Sequence, residues 1–344
     1  MGQPNSALWL YDLTDSDFFA RLCYNIINLN TYQRKTLNQM VVERNPTNRR
    51  SVLSPTVKNG KKKLIAFGWY GGKFSHLQWL LPLLPGCHHY CEPFAGSAAV
   101  LLNRKPSPIE TYNDLDGEVV NFFRSLRDHK DRLIELIGLT PFSREEFEQA
   151  CIIDPHLDQV ERARRFFIRA RQVRTGLAQK ASLGRWANCI NTSRGGMSGV
   201  VSRWLGSIES LPDIAERLLR VQIENRPALE FITLYDSSDT LFYCDPPYVH
   251  DTRGDCSAYG NEMTDQDHRD LAKLLNNVKG KVAISNYDCP LMDELYPVPK
   301  WLKLVGPEKT IHSTKDMRRE VLWTNYNPYD STAKQHPLRL IDAR

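Results

Sequence analysis

The chain has 344 residues, 41% of them hydrophobic and 25% charged, with a formal net charge of +5. That is enough apolar chain to bury a large core, which excludes a disordered protein, and the mild basic excess permits a polyanionic partner without demanding one. No run approaches the roughly 20 apolar residues of a bilayer span, and the amino terminus lacks the basic-then-apolar plan of a signal peptide. A cytoplasmic protein with no membrane partner is expected, its eight scattered cysteines reduced and not paired in a disulfide framework.

Residues 1–63 read as an N-terminal extension and linker. Phe18, Phe19, Leu22 and Ile26 line one face of a predicted helix from Phe18 to Leu29, with Asp15 or Ser16 as its cap. Asn45 to Lys63 is polar, proline-punctuated and ends in three lysines, the composition of a tether. Phe67-Gly-Trp69-Tyr70-Gly71-Gly72-Lys73 follows. It is not a P-loop, because Phe67 takes the first glycine position and Phe74 follows the lysine. Its adjacent glycines still let a backbone approach a ligand, flanked by Trp69 and Lys73.

His88 to Glu92 predicts a strand, which the small-residue turn Pro93-Phe94-Ala95-Gly96-Ser97-Ala98 leads into a helix. Ile109 to Asn113 predicts a second strand, ending at Asp114 at the spacing where an acid reaches ribose hydroxyls. With Gly96 the only glycine in the turn, a pyrophosphate cradle is not expected, whereas a nucleoside without phosphates fits. Cys87-His-His-Tyr-Cys91 has half the spacing of a zinc site but no second cluster, so no metal is predicted. Apolar residues from Val119 to Ile137 recur at helical spacing and predict helix.

Composition then shifts: between residues 162 and 226, thirteen Lys and Arg face four Asp and Glu. Glycines break up this segment and Trp186 and Trp204 interrupt it, a composition suited to a nucleic-acid reader that neutralises phosphates. Arg171, Arg174, Lys180, Arg185, Arg194 and Arg203 are the candidate DNA contacts.

Thr240-Leu-Phe-Tyr-Cys-Asp245-Pro-Pro-Tyr248 predicts a strand buried on both faces that stops at Asp245, since neither Pro246 nor Pro247 has an N–H to extend a ladder. In an open α/β sheet such a strand tip faces the ligand crevice. A fixed carboxylate, a proline carbonyl and an aromatic ring there suit a flat ring bearing an exocyclic amine. Asp265 to Leu275 predicts a helix capped by Thr264. Val282 to Tyr287 and Arg319 to Tyr326 predict two further strands, and the last 15 or so residues a tail.

Taken in order, Trp69-Tyr-Gly-Gly-Lys73, Glu92-Pro-Phe-Ala-Gly96, Asn113-Asp-Leu-Asp116, Asp245-Pro-Pro-Tyr248, Ser285-Asn-Tyr287 and Glu320-Val-Leu-Trp-Thr-Asn-Tyr326 resemble the Dam-like (D12 class, α group) DNA adenine N6-methyltransferases over roughly residues 64 to 327. The resemblance implies an α/β class I S-adenosylmethionine-dependent methyltransferase sheet, mostly parallel with a reversed last strand. It implies S-adenosyl-L-methionine held by Trp69, Lys73, Glu92, Phe94, Gly96, Asp114 and Asp245, and catalysis by Asp245, Pro246 and Tyr248. The domains that follow are 64–140 as the cofactor-binding half, 141–222 as a target-recognition insertion, 223–328 as the methyl-transfer half and 329–344 as a tail. Double-stranded DNA is the implied partner, while a cognate restriction endonuclease, the oligomeric state and the recognised site are left open.

The implied chemistry agrees with the residues. Adenine N6 is a weak nucleophile because its lone pair is delocalised into the ring; two acceptors on its hydrogens would turn that pair toward a methyl donor. The base must leave the duplex to be reached, and Tyr248 offers it a stacking surface. Two positions depart from the family pattern: Ala98 replaces a frequent second glycine, a change able to narrow the cofactor turn by one methyl group, and Pro227 replaces a frequent aspartate near the cofactor's adenine, with the effect of both on cofactor affinity left open. The recognition hairpin of GATC-specific members is not found. Another planar amine (RNA adenine, cytosine N4, glutamine) and a DNA-binding module with a decayed cofactor site are the alternatives.

Overall fold

The computed structural model describes residues 63–69, 71–174, 181–249, 262–310 and 317–330, all within the unit Lys62–Arg344. The helix expected at Phe18–Leu29, Tyr70, Lys180 and the predicted tail beyond residue 330 lie outside the described residues.

The strands are β1 (His89–Glu92), β2 (Ile109–Asn113), β3 (Ser193–Arg194), β4 (Met197–Ser198), β5 (Gln222–Glu224), β6 (Thr240–Cys244), β7 (Lys281–Tyr287), β8 (Leu302–Thr310) and β9 (Met317–Thr324). The α-helices are α1 (Leu77–Leu80), α2 (Ala99–Asn103), α3 (Gly117–Asp128), α4 (Lys130–Leu139), α5 (Arg144–Ala150), α6 (Gln159–Gln172), α7 (Gly199–Ile208), α8 (Leu211–Leu218), α9 (Ala228–Tyr235), α10 (Asp265–Leu275) and α11 (Pro290–Leu295). Seven strands form one sheet in the order β5-β2-β1-β6-β7-β9-β8. The first five run parallel, and β9 is antiparallel to both of its neighbours. This is the expected class I methyltransferase sheet, mostly parallel with its last strand reversed.

The central strand shows why the chain folds this way. All five residues of β6 are buried, and successive side chains of a strand point to opposite faces. Leu241 and Tyr243 join one apolar cluster with α3, α6 and α8. Phe242 and Cys244 join another with α9, α10 and α11. A strand apolar at every position therefore requires helices on both sides, and the result is three layers. Thr264 caps α10 as expected, its hydroxyl accepting from the Asp267 N–H while the Asp267 carboxylate accepts from the Thr264 N–H.

The helical stretch expected over Val119–Ile137 is helical but divided in two, because the chain leaves helical geometry at His129 (φ −129°, ψ 38°). His129 instead reaches the Gln159 side chain, so a tertiary contact overrides a periodicity that runs through the break. The segment after residue 162 is also more ordered than its composition suggests. Arg162 and Arg169 pair with Glu118, which fixes α6 against α3, and Arg164 and Arg165 pair with Glu161 within α6 itself. Trp204 is buried in the core, and Trp186 lies half-buried, donating to Gln172 at 3.1 Å.

Candidate active site

The carboxyl ends of β1, β2 and β6 open on one cleft enclosing about 1010 Å³ of empty space, mouth included, at the upper end of the range for small-molecule sites (roughly 300–1,000 Å³). Trp69, Lys73, Glu92, Phe94, Gly96, Asp114 and Asp245 all line it. Parallel strands in register bring these tips together: Glu92 on β1 is level with Tyr112 on β2, and Cys91 with Phe242 on β6. Pro246 and Tyr248 are buried and are not among the residues that line it.

Gly96 explains the turn after β1. Its φ of +48° lies in the left-handed region, where a Cβ is disfavoured, and an added Cβ would stand 2.5 Å from Trp69 Nε1. Its N–H donates to Asp114 Oδ2 at 2.8 Å, and its carbonyl accepts the Tyr112 hydroxyl at 2.9 Å. One residue thus seats the Trp69 indole and orients the Asp114 carboxylate, whose other oxygen accepts the Asp116 N–H at 2.9 Å. Burial raises the Asp114 carboxyl to about 6 against the pull of these amides.

Ala98 also adopts a left-handed conformation, φ +56°. Its side chain is fully buried in the core and takes no part in the cleft lining. Its departure from glycine is a local backbone strain. Pro227 is the amino-terminal cap of α9, and the neighbouring Ala228 lines the cleft.

Around Asp245 the charges are tightly arranged. Lys73, 3% exposed, lies with its ammonium 2.6 Å from Asp245 Oδ1 and 3.4 Å from Glu320 Oε1, and donates to the Gly71 carbonyl at 2.8 Å. Burial works to lower the Lys73 pKa, but Asp245 and Glu320 outweigh it and leave the pKa raised, so the ammonium stays charged. Burial lifts the Asp245 carboxyl to about 6, Lys73 holds it down and Glu320 pushes it up. Tyr248 is buried, edge-on to Tyr287 with ring centroids 4.8 Å apart, and its hydroxyl donates to Glu320. Sequence reasoning placed Lys73 in the site but missed Glu320, a residue in the middle of the reversed strand.

Glu92 is 2% exposed and accepts the Tyr90 hydroxyl at 2.7 Å. Burial carries its carboxyl up to about 8, although Tyr90 and Arg104 oppose the rise, so it is protonated at neutral pH. A carboxyl raised in the folded state contributes stability that is complete below its unfolded value near 4.5 and is lost as pH rises through about 8. Glu92→Gln keeps an acceptor for Tyr90 and removes the titration. Thermal melts should show the wild type losing a few kcal/mol between pH 5 and pH 8 and the variant a flatter profile; parallel profiles would refute the assignment.

The two-stranded hairpin β3–β4 was not foreseen. Its turn residues Gly195 and Gly196 both have positive φ, +59° and +79°, as a tight primed turn requires, and its strands are too short to show a period. Among the described residues no cluster of three or more His, Cys, Asp or Glu is placed to hold a metal, and no helix is long and apolar enough to cross a membrane.

Comparison with known proteins agrees with this geometry. A family model for D12 class N6 adenine-specific DNA methyltransferase matches residues 69–318. The chain is 29% identical over 250 residues to the type II methyltransferase M1.LlaDCHI of Lactococcus lactis subsp. cremoris, covering 66% of this chain and 82% of that one. It is 25% identical over 287 residues to a DNA adenine methylase of Vibrio cholerae serotype O1, covering 76% and 94%. Among solved structures, the rRNA methyltransferase aviRa of Streptomyces viridochromogenes aligns over 74% of this chain and 84% of its own, at 13% identity and a TM-score of 0.32. The match over residues 69–318 spans the cleft, Asp245 and the strands that carry them, and by it the chain belongs to the D12 class N6 adenine-specific DNA methyltransferases.

Proposed function

We propose that the chain transfers a methyl group from S-adenosyl-L-methionine to N6 of an adenine extruded from double-stranded DNA, with Asp245 and the Pro246 carbonyl as the two acceptors for the amine. The observation that carries this reading is the convergence of Asp245, Glu92, Gly96 and Asp114 on one cleft. The cleft fits that cofactor: Trp69, Phe94 and Met263 offer apolar surface, and the Asp114 carboxylate, held by two backbone amides, keeps lone pairs free for ribose hydroxyls. When bound, the cofactor supplies an electrophilic methyl group on a sulfonium.

The chain's own residues do the rest. Asp245 Oδ and the Pro246 carbonyl each accept one N6 hydrogen, which localises the lone pair and aims it along the cleft. Positive charge then develops on N6 opposite the Asp245 carboxylate, which can take the released proton at Oδ1. Tyr248 stacks on the flipped base.

On the DNA side, residues 141–222 serve as the target-recognition insertion, and the arginines divide into two sets. Arg162, Arg164, Arg165 and Arg169 are paired with glutamates. Arg171, Arg174, Arg185, Arg194 and Arg203 have no acidic partner among the described residues and are left for phosphates. Arg171 donates to the Arg203 carbonyl at 3.3 Å, and burial together with the Arg203 charge pushes its guanidinium down to about 10, a repulsion that a phosphate between them relieves. Arg171→Ala and Arg203→Ala should each lower the slope of log K against log salt by about 1, read by fluorescence anisotropy on duplex DNA. Arg165→Ala should leave the slope alone; equal slopes in all three would reject this division.

The direct test is incubation with methyl-labelled S-adenosyl-L-methionine and mixed-sequence duplex DNA, followed by nucleoside analysis. Label in N6-methyladenine is expected. Cofactor and DNA binding without any transfer would sink the proposal.

A further inference from the structure

Lys73 occupies both features that the proposed mechanism needs. Its ammonium fills an acceptor position on Asp245 at 2.6 Å, where an amine hydrogen has to go, and it lies over the face of the Tyr248 ring, 4.8 Å from the centroid, where a base has to stack. An adenine therefore cannot enter until Lys73 moves. A buried ammonium that leaves one carboxylate needs another, and Glu320 Oε1 is already 3.4 Å away, 4% exposed, and holding the Tyr248 hydroxyl.

We infer that Glu320 is a positioning residue for methyl transfer: it receives Lys73 when the target amine takes over Asp245, and it keeps Tyr248 oriented through that exchange. This rests on the function proposed above. The register provides for it. Asp245 follows β6 directly, and β7 separates β6 from β9. Because β9 is antiparallel, Glu320, where its pairing with β7 begins, is level with Tyr287 at the end of β7, on the crevice side of the sheet. Lys73 is thus bracketed by carboxylates from two strands that are not neighbours. With Glu320 present, the exchange leaves no buried charge unpaired; without it, Lys73 stays locked on Asp245 and blocks the amine.

The experiment compares Glu320→Gln with wild type in single-turnover methyl transfer. Glutamine keeps an oxygen for the Tyr248 hydroxyl but removes the charge that holds Lys73. The rate constant is expected to fall about 10- to 100-fold while cofactor and DNA dissociation constants stay within about threefold. In a Lys73→Gln background the same change should cost less than about threefold, since the charge it serves is gone. A purely structural role would not shift the pH profile, whereas this one does. Asp245 faces Lys73, Tyr248 and Glu320, with Glu92 and Tyr243 on the same side of the sheet. Of these, Glu320 raises the Asp245 carboxyl, so its removal should move the acid limb to lower pH.

A Glu320→Gln rate within threefold of wild type, an undiminished effect in the Lys73→Gln background, or an unmoved acid limb overturns the inference. Should Glu320→Gln fail to fold, Lys73→Gln/Glu320→Gln leaves neither charge behind and, against Lys73→Gln, must still show the acid-limb shift. Asp245→Asn in the same assay separates the two levels: if it transfers at the wild-type rate, the proposed function falls with the inference, and if it is inactive while Glu320→Gln is normal, only the inference falls.

Discussion

Asp245→Asn should slow methyl transfer by about 10³-fold or more, the scale of losing a preorganised charge aimed at a transition state, while cofactor and DNA binding change little. The substitution keeps size and shape but gives the amine a neutral oxygen, or a second donor, where it needs a strong acceptor. The fold should tolerate it because Lys73 keeps Glu320 at 3.4 Å and the Gly71 carbonyl at 2.8 Å. Single-turnover kinetics with labelled cofactor gives the transfer rate, and anisotropy gives DNA affinity. A rate within tenfold of wild type would remove Asp245 from the chemistry. The same carboxyl sets a pH limit: with its pKa raised to about 6, it is an acceptor above that value and protonated below, so activity should rise with pH through this region in the wild type. An acid limb persisting unchanged in a residually active Asp245→Asn enzyme would assign it to another group.

The second large effect is expected at Gly96. Alanine there meets two penalties: a left-handed φ of +48°, about 1–2 kcal/mol, and a Cβ 2.5 Å from the Trp69 indole, with overpacking typically about 1–3 kcal/mol. The indole is partly exposed at the cleft and can give way, which limits the loss of stability but moves cleft surface and disturbs the hydrogen bond that orients Asp114. A fall in Tm of about 5–10 °C and at least tenfold weaker cofactor binding by calorimetry are expected. A variant with wild-type Tm and affinity would show that neither the turn nor Trp69 is held as described.

What could be read from the sequence divides along a physical line. Short apolar runs with polar ends revealed β1, β2, β6 and β7, because a parallel sheet buries its strands on both faces and presents their tips to the crevice. Glu92, Asp114 and Asp245 were legible as tips for that reason. Glu320 was not, since it lies within its strand and only the antiparallel pairing that sets it level with Tyr287 at the end of β7 brings it to the crevice. Arg162 and Arg169 of α6 looked free because their partner Glu118 is on α3, far away in sequence and close only once the helices pack. Where the Ala98 methyl points was not legible, because composition carries no direction; the backbone turns it into the core.

The reversal of β9 also bears on how the chain is made. Lys73 belongs to the first described turn of the protein, Asp245 to its middle and Glu320 to its last described strand, so the second of the two carboxylates that flank the buried cation is made long after the first. A nascent or truncated chain ending before Met317 would carry the complete cofactor turn and the Asp-Pro-Pro-Tyr segment, yet lack the carboxylate that holds the Tyr248 hydroxyl. Such fragments should be unable to modify DNA, which would restrict methylation to fully formed copies.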